Sequence, residues 1–265
     1  MEIATRRRAR PRTAAPILAV AVALAALGAA TDARSGQVKG KLSGGQLLMN
    51  PVWQEAKEAS ANRFTWREPS PTVRADFRQL FAHLPKEVCI AALAPSPVTS
   101  TATIALKLSG GRTSPVTLVV APGATIEFQN RDPFPHKPFV VGQASFTVSE
   151  MKSGSTRQWK VPGPGKYEVR DELAPSMRSF IVVEPHVAAI GFPARDGSFT
   201  LHNVPPGEYR LQAFFNGEAT GKTVQALVKG DGVTDVKEEL VVAEPEKKEP
   251  PKDPKDPKAA KGAKK

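Results

Sequence analysis

From Val88 onward, apolar and polar residues alternate with a period of two. TATIALKL, PVTLVV and ATIEFQN are short β-branched runs, and SFTV, TRQWKV and KYEV continue the series. Pro95, Gly110-Gly111, Pro122-Gly123 and the GPG at Gly163 to Gly165 separate them, which is the punctuation of turns. In ATIEFQN, Ile126 and Phe128 belong to one face, and Thr125, Glu127 and Gln129 to the other. VCIAAL has no polar interruption and reads as a buried strand. Strands at this spacing, without long helices between them, predict an all-β antiparallel sandwich or barrel.

A second β unit follows Pro185. DGSFTLHNVPPGEYRLQAFF predicts two strands around a Pro-Pro-Gly turn, and VQALVKGDGVTDVKEELVV predicts two more. Phe199, Leu201, Tyr209 and Leu211 alternate inward. Upstream, GQVKGKLSGG predicts one strand and a glycine turn. Between Met49 and Lys86 the chain is irregular, with one short helix expected over Thr72 to Leu84, where Phe77, Leu80 and Phe81 recur at helical spacing. The end, EPEKKEPPKDPKDPKAAKGAKK, has no apolar residue larger than Ala and is expected to be a disordered tail.

The N-terminus changes the picture. Five arginines between Arg6 and Arg12 precede the apolar run PILAVAVALAALGAA, and small residues follow. This is the pattern of a secretory signal peptide cleaved after Ala30 or Ala33. The run is shorter than the roughly 20 residues of a membrane-spanning helix, and an uncleaved anchor is the alternative. The expected location is therefore periplasmic or extracellular. Of the net charge of +11, the segment to Ala33 carries +3 and the tail from Glu244 another +3, leaving +5 for the long remainder. No dense basic patch interleaves with aromatics, so no nucleic-acid partner is expected. Weak attraction to an anionic membrane or cell-wall surface is all that this charge supports. Cys89 is the only cysteine. No intramolecular disulfide can form, and an inert core thiol is expected.

Residues 100–184 resemble a cupredoxin, and most closely the plastocyanin-like proteins of the methylamine-utilisation type. VAPGATIEFQNRDPFPH matches the strand ending in Asn130 and Asp132, with His136 after it. SFTVSEMKSGSTRQWKVPGPGKYEV matches the next three strands, and LAPSMRSFIVV the closing loop and strand. The resemblance implies a Greek-key sandwich. A type 1 copper site uses two imidazoles, a thiolate and a weak axial methionine. Carried over, the resemblance puts the first imidazole on His136 and the methionine on Met177. The thiolate position falls on Asp171 and the second imidazole on Ala174.

A carboxylate cannot supply thiolate bonding, so no cofactor is expected, and His136, Asp171 and Met177 are remnant positions. On this reading His136 is a polar residue at a loop end, Met177 is core packing, and Asp171 is a solvated or salt-bridged acid. Arg131 and Arg170 are its candidate partners. A weak copper or zinc site built on the same three residues is the alternative. His83, His186 and His202 have no ligand spacing.

Residues of about 185–243 resemble the carboxypeptidase regulatory-like domain, a smaller transthyretin-like β-sandwich. Asp196-Gly197-Ser198-Phe199-Thr200-Leu201 and Val204-Pro205-Pro206-Gly207-Glu208-Tyr209-Arg210-Leu211 carry that likeness. GQVKGKL and VCIAAL resemble its first strands, which implies a discontinuous sandwich with the cupredoxin-like part inserted in it or beside it. No motif of a hydrolase, zinc peptidase or phosphate loop is present, and Glu238-Glu239 reads as a solvent-facing pair in a strand.

The organisation expected is a signal peptide over 1–33 and N-terminal strands with the partly helical excursion over 34–99. The cupredoxin-like domain follows over 100–184, the regulatory-like domain over 185–243, and the tail over 244–265. The expected function is a non-enzymatic, exported binding module whose partner is an envelope protein or surface polymer.

Overall fold

The computed structural model describes residues 35–49, 72 and 82–243. The segment expected to direct export, residues 73–81 of the expected helix and the tail from 244 lie outside the described residues. The described residues form part of one compact unit, Ala33–Lys265. Among the described residues no helix is long and apolar enough to cross a membrane.

The described architecture is all-β, with strands numbered along the chain and grouped in four sheets. The first sheet holds β1 (Gly36–Ser43) between β12 (Ser198–Val204) and β15 (Val233–Asp235), with β16 (Leu240–Val241) also paired to β1. Facing it is a sheet in the order β11 (Val187–Gly191), β2 (Val88–Leu93), β13 (Gly207–Phe215) and β14 (Glu218–Val228). Val38, Leu42, Ile90, Leu201, Tyr209 and Leu211 are among the side chains that fill the core between them. Phe199, Leu201, Tyr209 and Leu211 all point inward, as their alternation predicts. This sandwich is built from both ends of the described chain, because β1 pairs with β12 and β2 pairs with β11 and β13.

The second sandwich lies in sequence between β2 and β11. One sheet runs β4 (Arg112–Ser114), β3 (Thr103–Ser109), β6 (Thr125–Asn130), β8 (Thr156–Lys160). The other runs β5 (Thr117–Val120), β10 (Arg178–Val183), β9 (Gly165–Asp171), β7 (Pro138–Val140). Their shared core includes Leu106, Ile126, Phe128, Phe146, Trp159 and Ile181. Phe128 stacks on Phe146 with ring centroids 4.6 Å apart.

Three expectations need correction. The sheets are mixed and not purely antiparallel: β3 with β6, β5 with β10, and β1 with β15 and β16 are parallel pairs. Parallel neighbours require long crossovers, which local alternation does not reveal. SFTV is no strand; Ala144–Phe146 is a turn of 3-10 helix that drops Phe146 into the core. Glu238 and Glu239 fall between β15 and β16, outside any strand, and Glu239 pairs with Lys41.

A third apolar cluster joins the two sandwiches. Cys89, Ala91 and Leu93 of β2, Val187 of β11 and Phe214 of β13 pack with Val119, Ala121 and Val182. Because alternate residues of a strand face opposite ways, Val88, Ile90 and Ala92 enter one core while Cys89, Ala91 and Leu93 enter the junction. All six residues of β2 are buried, which explains the absence of polar alternation in VCIAAL. The Asn216 backbone N–H donates to Thr117 Oγ1 across the same junction, 3.1 Å away.

Burial pushes the Cys89 thiol up to about 12, only partly opposed by a backbone hydrogen bond with Val119. The thiolate is the reactive form, so native Cys89 is expected to resist a disulfide reagent and to label only as the junction opens. Phe214→Ala should cost about 3–5 kcal/mol and accelerate that labelling. Urea denaturation and timed thiol labelling check both; rapid labelling of the unperturbed native protein would contradict the packed junction.

Candidate functional site

The site lies at one end of the second sandwich, where chain segments from both of its sheets meet. Asp132 stands two residues beyond β6. His136 stands two residues before β7, and Asp171 is the last residue of β9. β7 pairs antiparallel with β9, with Pro138 opposite Asp171, which brings the loop carrying His136 to the end of β9. Asn130 organises that loop: its Nδ2 donates to the carbonyls of Phe134 (2.9 Å) and Met151 (3.0 Å), and its Oδ1 accepts from the Asp132 N–H (2.9 Å). His136 and Met151 exchange backbone hydrogen bonds of 3.0 and 2.7 Å.

His136 is fully buried, and both of its ring nitrogens face carboxylates. Nε2 is 2.9 Å from Asp132 Oδ2, and Nδ1 is 3.1 Å from Asp171 Oδ2. Each carboxylate also collects backbone donors. Asp132 accepts from the N–H groups of Gly110 (2.6 Å) and Gly111 (2.9 Å) in the β3–β4 turn. Asp171 accepts from those of Lys137 (2.9 Å), Leu173 (2.8 Å) and Ala174 (2.9 Å). The turn needs its two glycines because both residues have left-handed φ, 64° and 66°. The result is a continuous hydrogen-bonded path from the β3–β4 turn, through Asp132, His136 and Asp171, to the loop after β9.

His136 does lie at a loop end, and there it is buried; the correction falls on Asp171, which is not solvated and faces His136 and not an arginine. Arg170 pairs with Glu168 and Arg131 bonds to Gln129. Successive strand residues point to opposite faces, so Arg170 cannot reach the acid that follows it. Met177 is buried in the apolar core of the sandwich, and Ala174 contributes its backbone N–H to Asp171. The structure thus brings His136 and Asp171 together and adds Asp132. The sequence signal for Asp132 was its spacing, four residues before His136 and next to the Asn130 turn.

The donor set does not suit a metal. A metal-bound imidazole presents a bare ring nitrogen, whereas both nitrogens here are engaged with carboxylates. Among the described residues no group of three or more His, Cys, Asp or Glu side chains is arranged to hold a metal ion. Among the described residues the ring is fully buried. A cavity of about 560 Å³ is lined by residues including Leu42, His83, Leu84, Arg195 and Asp196, and another of about 320 Å³ lies beside Ile104, Val119 and Ile190. Neither touches the triad. His186 Nδ1 faces the Ala94 carbonyl at 3.0 Å, and His83 and His202 are exposed, all away from this site.

No family model matches the chain, and no curated protein matches it. Solved structures do match in part. A reduced amicyanin variant is 24% identical with a TM-score of 0.29, over 36% of this chain and 99% of that one. The purple cupredoxin of Nitrosopumilus maritimus is 17% identical with a TM-score of 0.27, over 30% of this chain and 98% of that one. The copper-containing nitrite reductase of Thermus scotoductus SA-01 is 23% identical with a TM-score of 0.29, over 35% of this chain; the match spans only 27% of that enzyme.

Burial works against the Asp132 charge, yet the Gly111 and Gly110 N–H groups and then His136 hold its pKa below the usual aspartate value. A carboxyl held low in the folded state contributes stability that is fully present above the unfolded value of about 3.9 and is lost as pH falls through the lower folded value. Asp132→Asn should therefore destabilise the protein near neutral pH, and its deficit should shrink below about pH 4. Urea denaturation of both proteins across that range checks this; a deficit independent of pH would contradict it.

Proposed function

We propose that this chain is an exported, non-enzymatic β-sandwich protein that acts as a binding or interaction module of the cell envelope. In this reading its central sandwich is a cupredoxin-like module without type 1 copper, and the discontinuous sandwich beside it is a regulatory-like, transthyretin-related module. The observation that carries the proposal is the chemistry around His136. Where the resemblance to copper proteins would place ligands, an aspartate replaces the thiolate and an alanine the second imidazole. The remaining imidazole is engaged by carboxylates at both nitrogens. Soft thiolate bonding and a bare imidazole nitrogen are what a type 1 site requires, and this donor set supplies neither.

A non-enzymatic role is supported by the closure of the site, since the imidazole and both acids are buried. What remains available to a partner is surface. Export is supported by the basic and apolar N-terminal pattern, and a periplasmic or extracellular location follows from it. The partner would be an envelope protein or surface polymer, and the modest positive charge favours an anionic one.

Metal analysis of the mature protein, purified without chelator, tests the central claim. Copper and zinc should be far below one equivalent per chain. A Cu(II) titration followed by absorption and EPR should show neither thiolate charge transfer nor tight uptake. Stoichiometric metal that disappears in His136→Ala would overturn the proposal in favour of a metal-binding module with a rearranged site.

A further inference from the structure

We infer that Asn216, followed by Gly217 in the turn between β13 and β14, is a deamidation site that the junction of the two sandwiches holds shut. Covalent modification there follows opening of the junction. The inference is independent of what the module binds and of whether it holds a metal.

The reaction needs an unhindered amide after the asparagine, and the sequence offers one. Of the five asparagines only Asn216 precedes a glycine, which has no side chain to screen its nitrogen. Gly217 N attacks Asn216 Cγ and loses its proton to solvent. The Cγ–Nδ2 bond breaks and ammonia leaves, giving a five-membered imide. Water then opens that ring at either carbonyl carbon, leaving an aspartate or an isoaspartate. One water enters, one ammonia departs, and no oxidant or reductant takes part.

In the docked hairpin the reacting atoms are turned apart. Phe215 pairs with Glu218, and the two residues between them have φ of 51° and 78°, the pattern of a type I′ turn. In such a turn ψ of the first central residue is about 30°. That angle sets its Cβ and the following nitrogen on nearly opposite sides of the Cα–C bond, whereas ring closure needs them eclipsed. The junction keeps the turn this way. The Asn216 N–H donates to Thr117 Oγ1 at 3.1 Å. Gly217 lies so close to β9 and β10 that a Cβ there would be 2.8 Å from Lys166 Cε and 2.9 Å from Phe180 Cβ. Lys166 Nζ donates to Glu218 Oε1 at 2.7 Å. Rotation about ψ of Asn216 would drive Gly217 into these neighbours, so the hairpin must leave its seat before the amide can react.

The product does not fit that seat. Asn216 is only 8% exposed, and its Oδ1 has no hydrogen-bond partner. A carboxylate in its place is a buried charge with no donor provided, and Lys166 beside the turn is already paired with Glu218. Isoaspartate lengthens the main chain of a turn against which the other sandwich leaves no room for a methyl group. Release of the hairpin therefore becomes one-way.

Peptide-mapping mass spectrometry of the full chain, aged at mildly alkaline pH, reads replacement of the Asn216 amide by a carboxyl; isoaspartate methyltransferase labelling reads the isomer. Deamidation at Asn216 should be about 100-fold or more slower in the native protein than in the chain unfolded by guanidinium, because it waits on a rare opening. Phe214→Ala should raise the native rate about tenfold or more. Thr117→Val, which removes the acceptor of the Asn216 N–H, should raise it too, and decides if the first variant does not fold. Asn216→Asp, which carries one product, should label at Cys89 faster than the unsubstituted protein. A native rate equal to the unfolded one would overturn the inference, as would an unfolded chain that keeps its Asn216 amide. A native rate unmoved by either junction variant would overturn the role of the junction. Unchanged Cys89 labelling in Asn216→Asp would overturn the one-way release.

Discussion

One strand, Val88–Leu93, is buried on both faces, and the two sandwiches depend on it. Its even-numbered side chains belong to the core shared with β1 and β12; its odd-numbered ones meet Val119, Ala121 and Val182. A strand in that position can carry no polar residue on either side without burying an unpaired group. The same demand falls on its neighbours across the junction. In β5, Leu118 and Val120 face the second core while Val119 faces the junction; in β10, Ile181 and Val183 face the core while Val182 faces the junction. Where they meet at the junction, β2, β5 and β10 are therefore apolar on both faces. The small side chains of Cys89 and Ala91 let these strands come together, and Phe214 fills the space beside them.

With the two modules fixed against each other, the open end of the second sandwich has a separate problem. Loops from two sheets converge there, and their amide groups need partners. Two aspartates collect five of these amides, and the imidazole between them joins the two clusters. Negative charge in the interior is tolerated because each carboxylate accepts from backbone donors. The ordering of the turn after β3 and of the loop after β9 thus passes through one histidine.

Much of this fold was legible in the sequence because period-two alternation is a local property. Phe199, Leu201, Tyr209 and Leu211 could be placed inward without knowing their partners, and the unbroken apolar run of VCIAAL announced a buried strand. Long-range pairing left no such mark. The parallel pairing of β3 with β6 and of β5 with β10 depends on crossovers, so the sheets read as antiparallel. Phe146 also misled: in SFTV it alternates as in a strand, but it reaches the core from a 3-10 turn. At the site, proximity in sequence was the wrong guide. Arg170 adjoins Asp171, but adjacent strand residues face apart; the true partner lies 35 residues upstream. Asp132 was visible as part of an Asn-x-Asp pattern, yet its bond to the ring depends on the path of the β6–β7 loop.

The end of β9 has its own internal logic. The carboxylate of Asp171 turns back on its own loop and takes the N–H groups of Leu173 and Ala174. Position 174 then serves through its backbone, which any residue except proline could supply, and an alanine suffices. Met177 donates its N–H to the Ala174 carbonyl at 2.8 Å, while its side chain joins the core. The loop is closed by main-chain bonds to one acid, and that acid is held by the ring of His136. The one carboxylate of Asp171 thus serves both as partner of the imidazole and as acceptor for the loop.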